Sequence, residues 1–133
     1  MKTIILYSII GILGLSGCQE SSTERCVREA KEANIKCPKI IDSYTRLDSI
    51  KYSKEEHTFH YYHSLKGFSD EKLKNLVTSP DHKEQILQTL INTAEMRYYM
   101  EQSITFEYNY TSQASGKPLG SICIGPEQYQ CTK

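Results

Sequence analysis

Residues 4–15 form a largely apolar run behind Lys2 that ends at Leu15-Ser16-Gly17-Cys18. The run is shorter than the roughly 20 apolar residues that cross a bilayer as a mature helix. It fits the about 7–15 residues of a secretory hydrophobic region, with small residues at the cut. With residues 1–17 set aside as a signal peptide, 116 of the 133 residues remain to fold (133 less 17). That length predicts one domain. Residues 18–23 read as a short polar tether, and residues 24–133 as a single folded body.

The tetrapeptide resembles the lipobox of bacterial lipoproteins. The resemblance implies that Cys18 becomes the first mature residue and carries a diacylglyceryl group. It implies a bacterial cell envelope protein held in a membrane by its N-terminal lipid. Buried acyl chains contribute about 0.8 kcal/mol per CH₂, so several make a lasting anchor. Gln19 stands where Asp favours inner-membrane retention in enterobacterial lipoproteins. The same resemblance therefore implies the outer membrane in a Gram-negative cell.

Lys2 is the one charge lost with the leader, so the body carries 15 Lys and Arg against 16 Asp and Glu, net −1. A near-neutral body lacks the basic surplus of a nucleic-acid binder. With Cys18 acylated, four of the five cysteines remain: Cys26, Cys37, Cys123 and Cys131. In an oxidising compartment these are candidates for two disulfides.

Ser21-x-x-Glu24 has capping-box spacing and opens a helix. Cys26, Ala30, Ala33 and Cys37 follow on one helical face, and Pro38 requires an end before it. Residues 44–52 and 57–65 read as two strands, the second rich in aromatic residues. A short helix is predicted over 70–77. Ser79-Pro80 then opens a longer one to about residue 101, with Leu87, Ile91, Ala94 and Tyr98 as its stripe, widened by Ile86 and Leu90. Ile104, Phe106, Tyr108 and Tyr110 alternate with polar residues as a half-buried strand. A turn at residues 112–118 leads to a return strand over 119–124. The order α-ββ-α-ββ predicts an α+β fold: a small antiparallel sheet of two hairpins with helices packed on one face.

Asn34, Pro38, Asp42, the segment Thr45-Arg46-Leu47-Asp48-Ser49, Tyr108-x-Tyr110, Gly116 and Cys131 resemble a group of small exported bacterial proteins with no assigned activity. The likeness spans residues 30–131 and implies location and fold, not a reaction. Cys26 and Cys37 depart from the pattern, so it implies no disulfide pairing.

Four cysteines allow three pairings. On one straight helix Cys26 and Cys37 would lie ~16 Å apart, against the about 4.4–6.8 Å a disulfide needs. Their pairing requires the helix to end near Asn34 and the chain to double back. Local pairing, Cys26–Cys37 with Cys123–Cys131, is favoured; bridges from the first helix to the last hairpin are the alternative.

His57, His60 and His63 do not converge on a strand. His60 points away from the other two, which lie ~20 Å apart, so no metal site and no cofactor are expected. Arg46 and Asp48 share a face and can pair. No nucleophile elbow, P-loop, dinucleotide fingerprint or zinc motif is present. Arg46, Asp48, Tyr61, Tyr62, Tyr108 and Tyr110 are the candidate binding surface, because Tyr favours interfaces. The expectation is a non-catalytic, lipid-anchored module that binds another protein or an envelope component. An inhibitor or immunity-type protein against an envelope-acting toxin or hydrolase is the alternative, and an enzyme is the least favoured.

Overall fold

Residues 20–130 are described by a computed structural model. Helix α1 (Ser22–Ile35) opens with both halves of the capping box: the Ser21 hydroxyl accepts from the Glu24 amide, and the Glu24 carboxylate accepts from the Ser21 amide. Strands β1 (Lys39–Ile40), β2 (Thr45–Ser53) and β3 (Thr58–Leu65) follow. Helices α2 (Asp70–Val77) and α3 (Pro80–Asn92), a 3₁₀ turn (Ala94–Met96) and α4 (Arg97–Glu101) lead to β4 (Thr105–Ser112), β5 (Pro118–Ile124) and α5 (Pro126–Tyr129).

The strands form one sheet in chain order, β1-β2-β3-β4-β5. The two expected hairpins are present and antiparallel. They are joined at the centre by parallel pairing of β3 with β4, Phe59 beside Phe106 and Tyr61 beside Tyr108. The helical crossover explains the departure from an all-antiparallel sheet, because a chain that passes over the sheet and returns to the same end re-enters it parallel.

One sheet face carries the core. Phe59, Phe106, Tyr110, Ile122 and Ile124 pack with Cys26 and Ala30 of α1, Leu73 and Val77 of α2, Leu90 of α3 and Tyr129 of α5. The fully buried Phe106 stacks on Phe59 at 6.3 Å and meets the edge of Tyr129. The other face is polar, because its half of the strand alternation is His60, Tyr62, Glu107, Asn109 and Ser121.

The predicted helix to residue 101 is two helices. Thr89 and Thr93 each donate a hydroxyl to the carbonyl four residues back, at 2.8 and 2.6 Å. Such back-bonding competes with the backbone ladder and bends helices. Thr93 takes an extended conformation at the break. The stripe is therefore re-phased: Leu90 is its buried centre, Ala94 is exposed and Tyr98 is half-buried.

Cys26 and Cys37 are free thiols, so the favoured local bridge between them does not form. Helix α1 runs unbroken to Ile35 and keeps them far apart. Cys123 is also free and exposed. Its expected partner Cys131 lies outside the described residues, as does Cys18.

Asp70 ties α2 to the β4–β5 loop. Its carboxylate accepts from the hydroxyls of Ser112 and Ser115, each at 2.6 Å. These bonds, Ser112's first, hold the Asp70 carboxyl below the usual carboxylate range. A folded pKa below the unfolded one gives stability that is present above about pH 4 and fades as pH falls through the folded value. We expect Asp70→Asn to lower the urea midpoint near neutral pH, with the gap to the parent narrowing below about pH 4. A gap that does not depend on pH contradicts this role.

Candidate binding groove

Helix α3 is propped on α2, the 3₁₀ turn and α5, and reaches the sheet side through Leu90 in the core and His82 beside Tyr110. Beneath it lies an apolar cavity of about 910 Å³. Leu47, Tyr61, His63, Tyr108 and Tyr110 form its floor; Leu76 and Val77 of α2 and Ile86 and Leu90 of α3 form its walls. Its volume is within the range of ordinary ligand pockets.

The floor is a stacked ladder. Tyr61 lies on Tyr108 with ring centres 5.0 Å apart, and His63 lies on Tyr110 at 5.2 Å. His82 from the first turn of α3 meets the edge of Tyr110, with its Nε2 3.2 Å from the phenol oxygen. Parallel pairing of β3 and β4 builds this ladder, because it sets Tyr61 beside Tyr108 and His63 beside Tyr110 on one face. Burial pushes the Tyr110 phenol up to about 12 and raises Tyr61 and Tyr108 as well. Burial lowers His63 and His82. The floor is thus uncharged near neutral pH.

The mouth is open to solvent and carries exposed apolar side chains between polar ones. Ile41 is 51 %, Tyr44 50 %, Phe68 40 % and Leu76 49 % exposed. Contiguous exposed apolar residues beside a groove mark an interaction site more than scattered ones do. Tyr44 and Phe68 pack with ring centres 5.2 Å apart. Gly67 holds this corner with φ +97°, and a Cβ there would sit 2.6 Å from the Tyr44 ring. Asp42 steadies the approach by accepting from the Tyr44 amide at 2.8 Å.

The six residues expected to form one surface fall on two. Tyr61, Tyr108 and Tyr110 are in the groove. Arg46, Asp48 and Tyr62 are on the polar face: Arg46 Nε donates to Asp48 Oδ1 at 2.6 Å, and Ser64 donates to the same oxygen at 3.1 Å. Farther along that face Ser121 donates to Asn109, Asn109 donates to Glu107, and His60 Nδ1 lies 2.9 Å from Glu107. The three histidines do not converge: His60 is on the polar face, His63 is in the groove, and His57 is not on the strand as expected but in the β2–β3 turn, between the Tyr52 hydroxyl and the Gln102 carbonyl. Among the described residues no three His, Cys, Asp or Glu side chains are placed to hold a metal ion.

Sequence reasoning missed the groove's walls and both of its histidines. The signal was there in part. Leu73, Leu76 and Val77 make an apolar stripe on α2 wide enough to cover the sheet and still leave Leu76 over. Nothing in the sequence says that α3 is propped in this way.

The family model described as "Domain of unknown function (DUF8479)" matches residues 21–120, and the chain belongs to this family. No curated protein matches the sequence. Three solved structures share the fold. A Pseudomonas aeruginosa protein taken to be secreted aligns with TM-score 0.62 at 13 % identity, over 80 % of this chain and 95 % of its own. The pilotin EpsS of the Vibrio vulnificus type 2 secretion system aligns with TM-score 0.58 at 10 % identity, over 78 % of this chain and 87 % of its own. The type II secretion system pilotin AspS of Vibrio cholerae aligns with TM-score 0.52 at 7 % identity, over 76 % and 85 %.

Leu90 is the one buried residue of α3. We expect Leu90→Ala to cost about 2–5 kcal/mol and to speed amide exchange over Pro80–Asn92 more than over β3 and β4. Equal acceleration throughout the chain contradicts the propped placement of α3.

Proposed function

We propose that this member of the DUF8479 family is a non-catalytic docking module of the bacterial envelope. It seats an amphipathic helix of a partner protein in the groove under α3. The observation that carries this reading is the open apolar channel with Ile41, Tyr44, Phe68 and Leu76 exposed at its mouth. A helix is about 10–12 Å across, and its apolar stripe recovers the burial that these side chains lack. The stacked floor offers wide, flat rings at low entropic cost, as protein interfaces favour.

Two pilotins of type II secretion systems share this fold, which favours a partner that belongs to an envelope machine. In the same reading Cys18 carries the lipid, and residues 18–23 tether the body to the membrane. The polar face, with its mutually satisfied side chains, is the solvated side of the module.

A photoreactive amino acid at Thr89 or Gln85, on the groove's rim, is expected to cross-link in living cells to one envelope protein, whereas the same group at Ser121 gives none. Phe68→Asp and Leu76→Asp are expected to abolish the product. Equal yields from both faces, or a product unaffected by the two substitutions, overturn the reading. In the same cells mass spectrometry is expected to find Cys18 acylated; a free thiol there removes the anchor.

A further inference from the structure

The groove has one polar feature that its apolar character does not explain. His63 Nδ1 is the one enclosed side-chain nitrogen or oxygen, among the described residues, with no hydrogen-bond partner. The ring's other nitrogen, Nε2, is not enclosed, belongs to a floor residue of the groove, and takes no partner. A neutral imidazole carries one proton. An orphaned N–H is rarer and costlier in a protein interior than an under-used acceptor. The proton therefore sits on Nε2, and an N–H donor faces the cavity with no protein acceptor beside it.

We propose that His63 is the specificity-determining residue of the groove. It accepts a partner helix that carries one neutral hydrogen-bond acceptor, a carboxamide or hydroxyl oxygen, within its apolar stripe. The proposal rests on the docking reading above and adds the chemistry of the segment that docks. An all-apolar stripe covers the Nε2–H and leaves it without water or partner, which carries the cost of an unpaired buried donor. A carboxylate fits less well than an amide. It is best matched by an imidazolium, which needs a second proton on the enclosed Nδ1, where no acceptor waits. Asp42 and Asp81 stand at the rim and His82 across the floor, while Asp48, behind the ring, is paired with Arg46. The two rim carboxylates disfavour a further negative charge. The lowering of the His63 pKa by burial agrees with a ring that stays neutral.

The test uses full-length protein in nanodiscs, with binding to empty nanodiscs subtracted. The probes are synthetic 18-residue amphipathic helices with an all-leucine stripe. A glutamine or a glutamate replaces each stripe leucine in turn, and binding is followed by fluorescence anisotropy. At one stripe position glutamine is expected to bind about five-fold tighter than leucine, the size of one neutral hydrogen bond, and tighter than glutamate. His63→Phe keeps the stacked ring but removes the donor, and is expected to erase the preference by raising the all-leucine affinity, since no N–H is left to be covered unpaired. Nitrogen-15 NMR of the unsubstituted protein supplies a readout that needs no variant: His63 is expected to show the Nε2–H tautomer, with that proton shifted on adding the glutamine peptide. Leucine equal to or better than glutamine at every position, or a preference that survives His63→Phe, overturns the proposal and leaves the docking reading standing. Failure of every helix to bind, the all-leucine one included, overturns both.

Discussion

The fold's functional character depends on how little of α3 reaches the sheet. Leu90 is its one buried side chain, and the helix is propped on α2, α5 and the 3₁₀ turn. A helix laid flat on β3 and β4 would close over Tyr61, His63 and Tyr108 and fill the space beside Tyr110, which is already buried. Held away, it leaves them as the floor of a channel. Burial of apolar surface contributes about 25 cal/mol per Å², so an open channel forgoes stability that closure would provide. Natural folds keep such surface where binding uses it.

The rest of the molecule compensates by fastening the channel's frame at points away from it. Asp70 locks the start of α2 to the β4–β5 loop. His57 joins the β2–β3 turn to the end of α4, through the Tyr52 hydroxyl and the Gln102 carbonyl. Asn34 of α1 accepts from the Ile50 amide at 3.0 Å, which covers part of the open edge of β2 and blunts it against pairing with another chain. Phe106, Ile104 and Ile124 are fully buried on the sheet.

Elements governed by local chemistry were legible in the sequence. The Ser21–Glu24 box, Ser69 before α2 and Ser79-Pro80 before α3 each name a helix start by the donors they satisfy. The alternation of Ile104, Phe106, Tyr108 and Tyr110 names a half-buried strand. Features set by long-range geometry were not legible. Parallel pairing of β3 and β4 follows from the path of the crossover, which no local pattern records. Tyr61 and Tyr62 read alike in sequence, yet strand alternation sends one to the channel and the other to the polar face. The break at Thr93 turns on hydroxyl back-bonds that a stripe of apolar residues conceals. The expected Cys26–Cys37 bridge is not made: α1 ends at Ile35, near Asn34 as that pairing required, but Cys37 stays beside the last turn against the Ala33 carbonyl and does not double back to Cys26.

Methyl NMR of the protein during titration with an amphipathic helix tests the channel directly. Docking under α3 predicts shifts at the methyls of Leu76, Val77, Ile86 and Leu90, with Ile122 and Ile124 unmoved in the closed core. Shifts confined to β5 or to the polar face, or no shift at a helix concentration that saturates binding, contradict it.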